Sequence, residues 1–181
     1  MAKITLPSTG KLNILLADDD QTDCLLFKEA LEELPILSHL TTINNGEELM
    51  KHLRKRGNKL PDVLFLDINM PKKNGYASLA EIKSHARLEK IPVIIFSTAS
   101  EQQMESIKIN QVFKDAAHYY IRKPNTFSEL KRVIHKVLTP ILEKNISLPY
   151  VKENFVITGD LKSISDEIKA TPRKGSHRKI N

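Results

Sequence analysis

The chain contains one cysteine, Cys24, and no tryptophan in 181 residues. A single thiol excludes an internal disulfide and fits a reducing compartment. Cys24 sits beside Leu25, Leu26 and Phe27 in an apolar helical pattern, where burial is its expected fate. No apolar run approaches the ~20 residues of a membrane-spanning helix. The opening MAKITLPSTGK also lacks the long apolar segment of a secretory signal, so the expected location is cytoplasmic, with no membrane partner. The six histidines share no spacing, and no Cys/His cluster has the pattern of a zinc site. Five basic and no acidic residues lie between Lys169 and Asn181. Read as a solvated end, that tail and a net charge of +6 do not define a nucleic-acid-binding protein.

What is present is a regular alternation. LNILLA, Leu12 to Ala17, is a continuous apolar run of the kind buried on both faces of a parallel sheet. Cys24, Phe27, Leu31 and Leu34 follow at helical spacing, with Leu25, Leu26 and Ala30 widening the stripe. Asp20 is placed to cap this helix, Asp23 lies in its first turn, and Pro35 ends it. His39 to Ile43 reads as a strand, Asn44-Asn45-Gly46 as a turn and Glu47 to Lys55 as a helix. The cycle continues with strand Val63–Asp67, helix Tyr76–Arg87 with Leu79, Ile82 and Ala86 inward, and strand Val93–Phe96. A helix over Glu101–Lys114, with Met104, Ile107 and Val112 inward, precedes a strand over His118–Ile121. Phe127, Leu130, Ile134, Val137 and Ile141 mark a last helix, which Pro140 is expected to stop near Thr139. Five such units imply an α/β fold, a parallel sheet covered by helices on both faces and joined by right-handed crossovers.

Ligands of such sheets gather at the carboxyl edge of the strands. Here the first strand ends in Asp18-Asp19-Asp20, the third in Asp67, the fourth in Ser97-Thr98, and the fifth runs into Lys123-Pro124. Carboxylates about 4 Å apart repel by roughly 1 kcal/mol per pair in water and by several times that in a cleft. Lys123 offsets part of this, and a divalent cation completes it. Oxygen donors without His or Cys point to Mg²⁺. A strand-end carboxylate beside a metal, a hydroxyl and a lysine is arranged for phosphoryl transfer, with Asp67 as nucleophile.

ILLADDD, LFLDINMPKKNG, PVIIFST and YIRKP, in this order and spacing, resemble the receiver domain of two-component response regulators over roughly Leu12 to Glu143. The resemblance implies a flavodoxin-like doubly wound (βα)₅ fold with strand order 2-1-3-4-5. It implies Asp67 as phosphoacceptor, Asp18 and Asp19 as the acidic pair holding Mg²⁺, and Asn69 as a ligand through its backbone carbonyl. Ser97 matches the switch hydroxyl, with Thr98 its competitor, and Lys123 the site lysine. Pro124 matches a proline following a cis peptide bond, and Tyr120 the aromatic that changes rotamer. Asp20 is left to cap the helix. KDAAH, residues 114 to 118, departs from the glycine often found before the fifth strand. Residues 1–11 and the basic, partly disordered stretch 144–181 flank the receiver unit 12–143, and too few residues follow for a winged-helix effector. Asn154 to Thr158 reads as a short strand.

The implied function is that of a stand-alone response regulator, a signalling phosphoacceptor rather than a turnover enzyme. A sensor histidine kinase or histidine phosphotransfer protein would donate to Asp67. The surface of the fourth helix, fifth strand and fifth helix would then meet a downstream protein target or pass the phosphoryl group on. The chain itself would be a monomer or weak homodimer. Two alternatives stay open: a receiver-like interaction module that is never phosphorylated, and a Mg²⁺-dependent aspartyl-phosphate phosphatase. The phosphatase would want a second aspartate two residues past the nucleophile, where this chain has Asn69.

Overall fold

A computed structural model describes residues 11–98, 119–143 and 156–157. Its elements run β1 (Leu12–Ala17), α1 (Gln21–Glu32), β2 (Ser38–Ile43), α2 (Gly46–Arg54), β3 (Val63–Leu66) and α3 (Gly75–Ser84). They continue with β4 (Val93–Ser97), β5 (Tyr119–Arg122), α4 (Phe127–Leu142) and β6 (Val156–Ile157). The expected helix over residues 101–114 and the KDAAH stretch lie outside the described residues, as does most of the C-terminal stretch. All strand pairs are parallel, in the order β2-β1-β3-β4-β5-β6. This is the flavodoxin-like order 2-1-3-4-5 with one addition. Within the expected strand over Asn154 to Thr158, Val156 and Ile157 pair with Tyr120 and Ile121.

Alternation along the strands divides the core between the two faces of the sheet. Leu15, Leu64, Leu66 and Ile95 pack with Leu49, Leu53, Leu79 and Ile82 of α2 and α3. Ile14, Leu16, Phe65 and Ile94 pack with Phe27 and Leu31 of α1 and with Leu130, Ile134 and Val137 of α4. Phe27, Phe65 and Phe96 meet edge to face, with ring centroids 4.8 to 6.2 Å apart. This aromatic cluster ties α1, which carries Asp23, to β3, which leads into Asp67, and to β4, which ends in Ser97.

Three expectations need correction. Leu25 and Leu26 are 54% and 38% exposed, because Phe27, Ala30 and Leu31 alone form the buried stripe of α1. The inward position expected of Ala86 is taken by Leu88. The third helix stops at Ser84, leaving Ala86 exposed in the turn that follows. The last helix does not stop near Thr139 but runs through Pro140 to Leu142. A proline this close to the end of a helix removes one backbone hydrogen bond, and burial of Leu138 and Ile141 on the continuing seam outweighs that loss. Thr139 Oγ1 donates to the His135 carbonyl at 2.7 Å, and Glu143 N closes the last turn on the Thr139 carbonyl.

The loop after β3 is held against the strand it leaves. Gly75 N donates to the Ile68 carbonyl at 2.9 Å, and Asn74 caps α3 by accepting from Ala77 N. A Cβ at Gly75 would run into the Asp67 carbonyl oxygen and the Ile68 backbone. Gly75→Ala should therefore destabilise the protein by about 1–3 kcal/mol through overpacking. Urea denaturation of the two proteins measures the difference, and an unchanged midpoint would show that the loop has room to spare.

Candidate functional site

The ladder of backbone hydrogen bonds continues one residue beyond three of the strands. Asp18 N donates to the Ile43 carbonyl at 2.9 Å, Asp67 N to the Ala17 carbonyl at 2.8 Å, and Lys123 N to the Ser97 carbonyl at 2.9 Å. The backbones of Asp18, Asp67 and Lys123 are thereby fixed by the sheet itself. Apolar strands bring these charges in because a parallel register leaves every carboxyl end on one edge.

Asp18, Asp19 and Asp67 each place a carboxylate oxygen within 4.8 Å of the other two. Asp18 and Asp67 are buried and Asp19 is exposed. Asp67 Oδ1 accepts from Ile68 N at 2.7 Å, which orients the carboxylate, and Asp18 Oδ1 accepts from Asp20 N at 3.1 Å. Lys123 Nζ lies 2.7 Å from Asp18 Oδ2, 2.7 Å from Asp23 Oδ2 and 3.8 Å from Asp67 Oδ2. It also stands 5.6 Å from the centroid of the Phe96 ring. Burial raises the Asp18 carboxyl from 3.8 to about 6, against the opposing pull of Lys123. For Lys123, burial works to lower the ammonium pKa, but the hydrogen bonds with Asp18 and Asp23 overcome it and the net shift is upward.

Asp20 takes the capping role expected of it. It is the N-cap of α1, its Oδ1 accepting from Thr22 N at 2.7 Å and Asp23 N at 3.2 Å. Those bonds hold its own carboxyl below the usual carboxylate range. Asn69 is exposed in the loop two residues past Asp67. At the end of β4 the Ser97 side chain is fully buried, while Thr98 is exposed. Tyr120 is 1% exposed and packs in the α2–α3 half of the core. Burial pushes its phenol up to about 12, so it is a protonated donor at neutral pH. The Ser97 hydroxyl lies close enough to pull slightly the other way. Even so, neither the Ser97 nor the Tyr120 hydroxyl has a partner in good hydrogen-bond geometry. The Lys123–Pro124 bond is trans, contrary to expectation, as are all peptide bonds of the described residues. Trans is the lower-energy form, and the Lys123 ladder bond is made with it.

Sequence reasoning missed Asp23, assigning it only to the first turn of α1. It lies in the first turn of the helix that starts directly after the strand-end acids, so it stays close to their edge. That placement was the available signal. Asp18, Asp23 and Asp67 thus stand within 3.8 Å of Lys123, and with Asp19 beside two of them four carboxylates give this edge a net negative charge. The donors of Asp18, Asp19 and Asp67 are all oxygen, two of them buried and one open to solvent. Such a set fits Mg²⁺, which takes carboxylate ligands while keeping several waters.

The fold and this edge define a response regulator receiver domain, and the family's sequence profile matches residues 14–135. The chain belongs to this family of two-component signalling proteins. Among curated proteins it is 28% identical over 140 residues to the response regulator Rcp1 of Synechocystis sp., covering 75% of this chain and 92% of Rcp1. Among solved structures it is similar to the phosphorylated cyanobacterial phytochrome response regulator RcpA. That likeness has a TM-score of 0.64 and 31% identity, covering 75% of this chain and 96% of RcpA. The Mn²⁺-bound form of Rcp1 matches with a TM-score of 0.60 and 28% identity, over 73% and 95% of the two chains. No described helix is long and apolar enough to cross a membrane.

The Asp18 shift sets a sign for stability. Its folded-state pKa lies above the ordinary 3.8, so the folded protein binds this proton more tightly than the unfolded chain. The resulting contribution is complete below 3.8 and is lost as the pH rises through about 6. Without divalent cations, the stability difference between wild type and Asp18→Asn should move in favour of the variant between those pH values. Denaturation at a series of pH values reads this, and a pH-independent difference would contradict it.

Proposed function

We propose that this protein accepts a phosphoryl group on Asp67 from the phosphohistidine of a kinase or phosphotransfer protein and uses it to change a protein-binding surface. The observation that carries the reading is the Asp67 carboxylate. It is buried, oriented by Ile68 N, and next to both an acidic pair and an ammonium. In the step, an Asp67 carboxylate oxygen forms a bond to phosphorus as the donor's P–N bond breaks. The electron pair of that bond leaves on the imidazole nitrogen. Asp18, Asp19, Asp67 and the Asn69 carbonyl would hold Mg²⁺, which supplies neutralisation of charge on the phosphoryl oxygens. Lys123 would donate to one of those oxygens and Ser97 to another. The Mn²⁺ in the Rcp1 structure and the phosphorylated state of RcpA are properties of those relatives that support this reading.

The switch follows from the two buried hydroxyls. Ser97 Oγ and Tyr120 Oη are enclosed without well-formed bonds, at a cost of about 1–3 kcal/mol for each such group. A phosphoryl oxygen at Asp67 would give Ser97 an acceptor. Tyr120 already occupies the inward position, so phosphorylation would stabilise an arrangement that exists beforehand rather than draw the ring in from solvent. The surface that responds would be that of β5 and α4, with the expected helix over residues 101–114 lying outside the described residues. On this reading residues 12–143 form a cytoplasmic receiver unit, acting as a monomer or weak homodimer on a downstream protein.

Incubation with ³²P-labelled acetyl phosphate and Mg²⁺ should yield a base-labile acyl phosphate, absent with Asp67→Asn and with excess EDTA. Ser97→Ala should slow the reaction by about 100-fold, the loss typical of one donor to a developing anion. Label retained by Asp67→Asn would reject Asp67 as the acceptor.

A further inference from the structure

We infer that Asp23 is a positioning residue that tethers Lys123 away from Asp67 and so restrains phosphoryl acceptance; this rests on the reading of Asp67 as acceptor. An ammonium group has three donors in tetrahedral directions. On Lys123 one donates to Asp23 Oδ2 at 2.7 Å and Asp18 Oδ2 is an ion-pair contact at 2.7 Å outside good hydrogen-bond geometry, while Asp67 Oδ2 at 3.8 Å lies beyond hydrogen-bonding distance. The two holding groups differ in kind. Asp18 belongs to the strand-end set and its side chain is wholly buried. Asp23 comes from α1, a hundred residues away in sequence from Lys123, and its side chain is 32% exposed at the rim. The helix does not need it as a cap, since Asp20 fills that role.

A phosphoryl group on Asp67 needs a Lys123 donor turned to its oxygens, and turning the ammonium that way loosens its bond to Asp23. The bond to Asp23 is charge-assisted and opposes that movement. Asp18 moves the ammonium little, because its own carboxylate sits among the site oxygens. The rim position of Asp23 makes it the bond that yields, so the ground state carries a restraint released as the phosphoryl oxygens gather charge. A general electrostatic effect of the same carboxylate on an anionic donor would act in the same direction. It differs in being screened by salt, whereas a partly buried contact pair is screened much less.

The test follows phosphorylation by phosphoramidate under saturating Mg²⁺ in the full chain, with wild type, Asp23→Asn, Asp23→Ala and Asp23→Glu. The tether predicts a maximal rate about twofold to fivefold higher for the Asn and Ala variants, the range of one partly exposed ion pair. The donor concentration at half-maximal rate should stay unchanged, and Glu should restore the slow rate. The gain should persist in about 1 M salt. Folded Asn and Ala variants with unchanged or slower rates would overturn the proposal, as would a gain that salt abolishes. A second measurement needs no phosphodonor. The ¹H–¹⁵N signal of the Lys123 ammonium should exchange faster with water in Asp23→Asn, and an unaltered signal overturns the tether. A wild-type protein that takes up no phosphoryl group at all would instead count against Asp67 as acceptor, leaving the ammonium signal to decide the role of Asp23.

Discussion

Everything at the carboxyl edge depends on one ammonium group placed among carboxylates that would otherwise repel one another. Lys123 can serve there because its backbone is pinned by the bond from its N–H to the Ser97 carbonyl. Its side chain then reaches back over the Phe96 ring to Asp18 and Asp23. One cation does not neutralise four anions, and the residual charge makes the pocket receptive to a divalent ion. The cost of collecting these charges is met by the apolar sheet beneath them, whose strands β1, β3 and β4 are almost entirely buried.

The design separates rigidity from response. Asp18 and Asp67 follow directly from strands and inherit the stiffness of the sheet. Asp19, Asn69 and Thr98 lie at or just past the same edge and are exposed, where water and a partner's side chains can reach them. Ser97 and Tyr120 sit behind this front row with unsatisfied hydroxyls, on adjacent strands whose register pairs Ser97 with Arg122 and Ile95 with Tyr120. A charge added in front therefore has polar groups waiting behind it, already enclosed.

Much of this was legible in the sequence, because it follows from local rules. Continuous apolar runs identified the buried strands, and the parallel sheet brought their ends to one edge. Asp20 could be set aside as a cap because it directly precedes the helical pattern. The misreadings were of quantities that only packing decides. Apolar character at Leu25 and Leu26 did not reveal how narrow the buried stripe of α1 is. Neither Ala86 nor Leu88 carries a local sign of which one the chain buries after its turn. Pro140 is a helix breaker by local rule, yet the seam through Leu138 and Ile141 overrides it. Asp23 escaped because its partner is remote in sequence, and a first-turn acid has an adequate local explanation without one.

The short strand β6 has a consequence for how this sheet meets other chains. By pairing with Tyr120 and Ile121 it occupies backbone donors and acceptors that β5 would otherwise display along its outer side. At those two residues a foreign strand finds nothing to template on, and covering an edge is one way sheet proteins resist edge-to-edge aggregation. The opposite flank, β2, alternates half-buried Leu40 with polar His39 and Thr41. Backbone-to-backbone recruitment of another polypeptide at Tyr120 and Ile121 would thus require β6 to leave first.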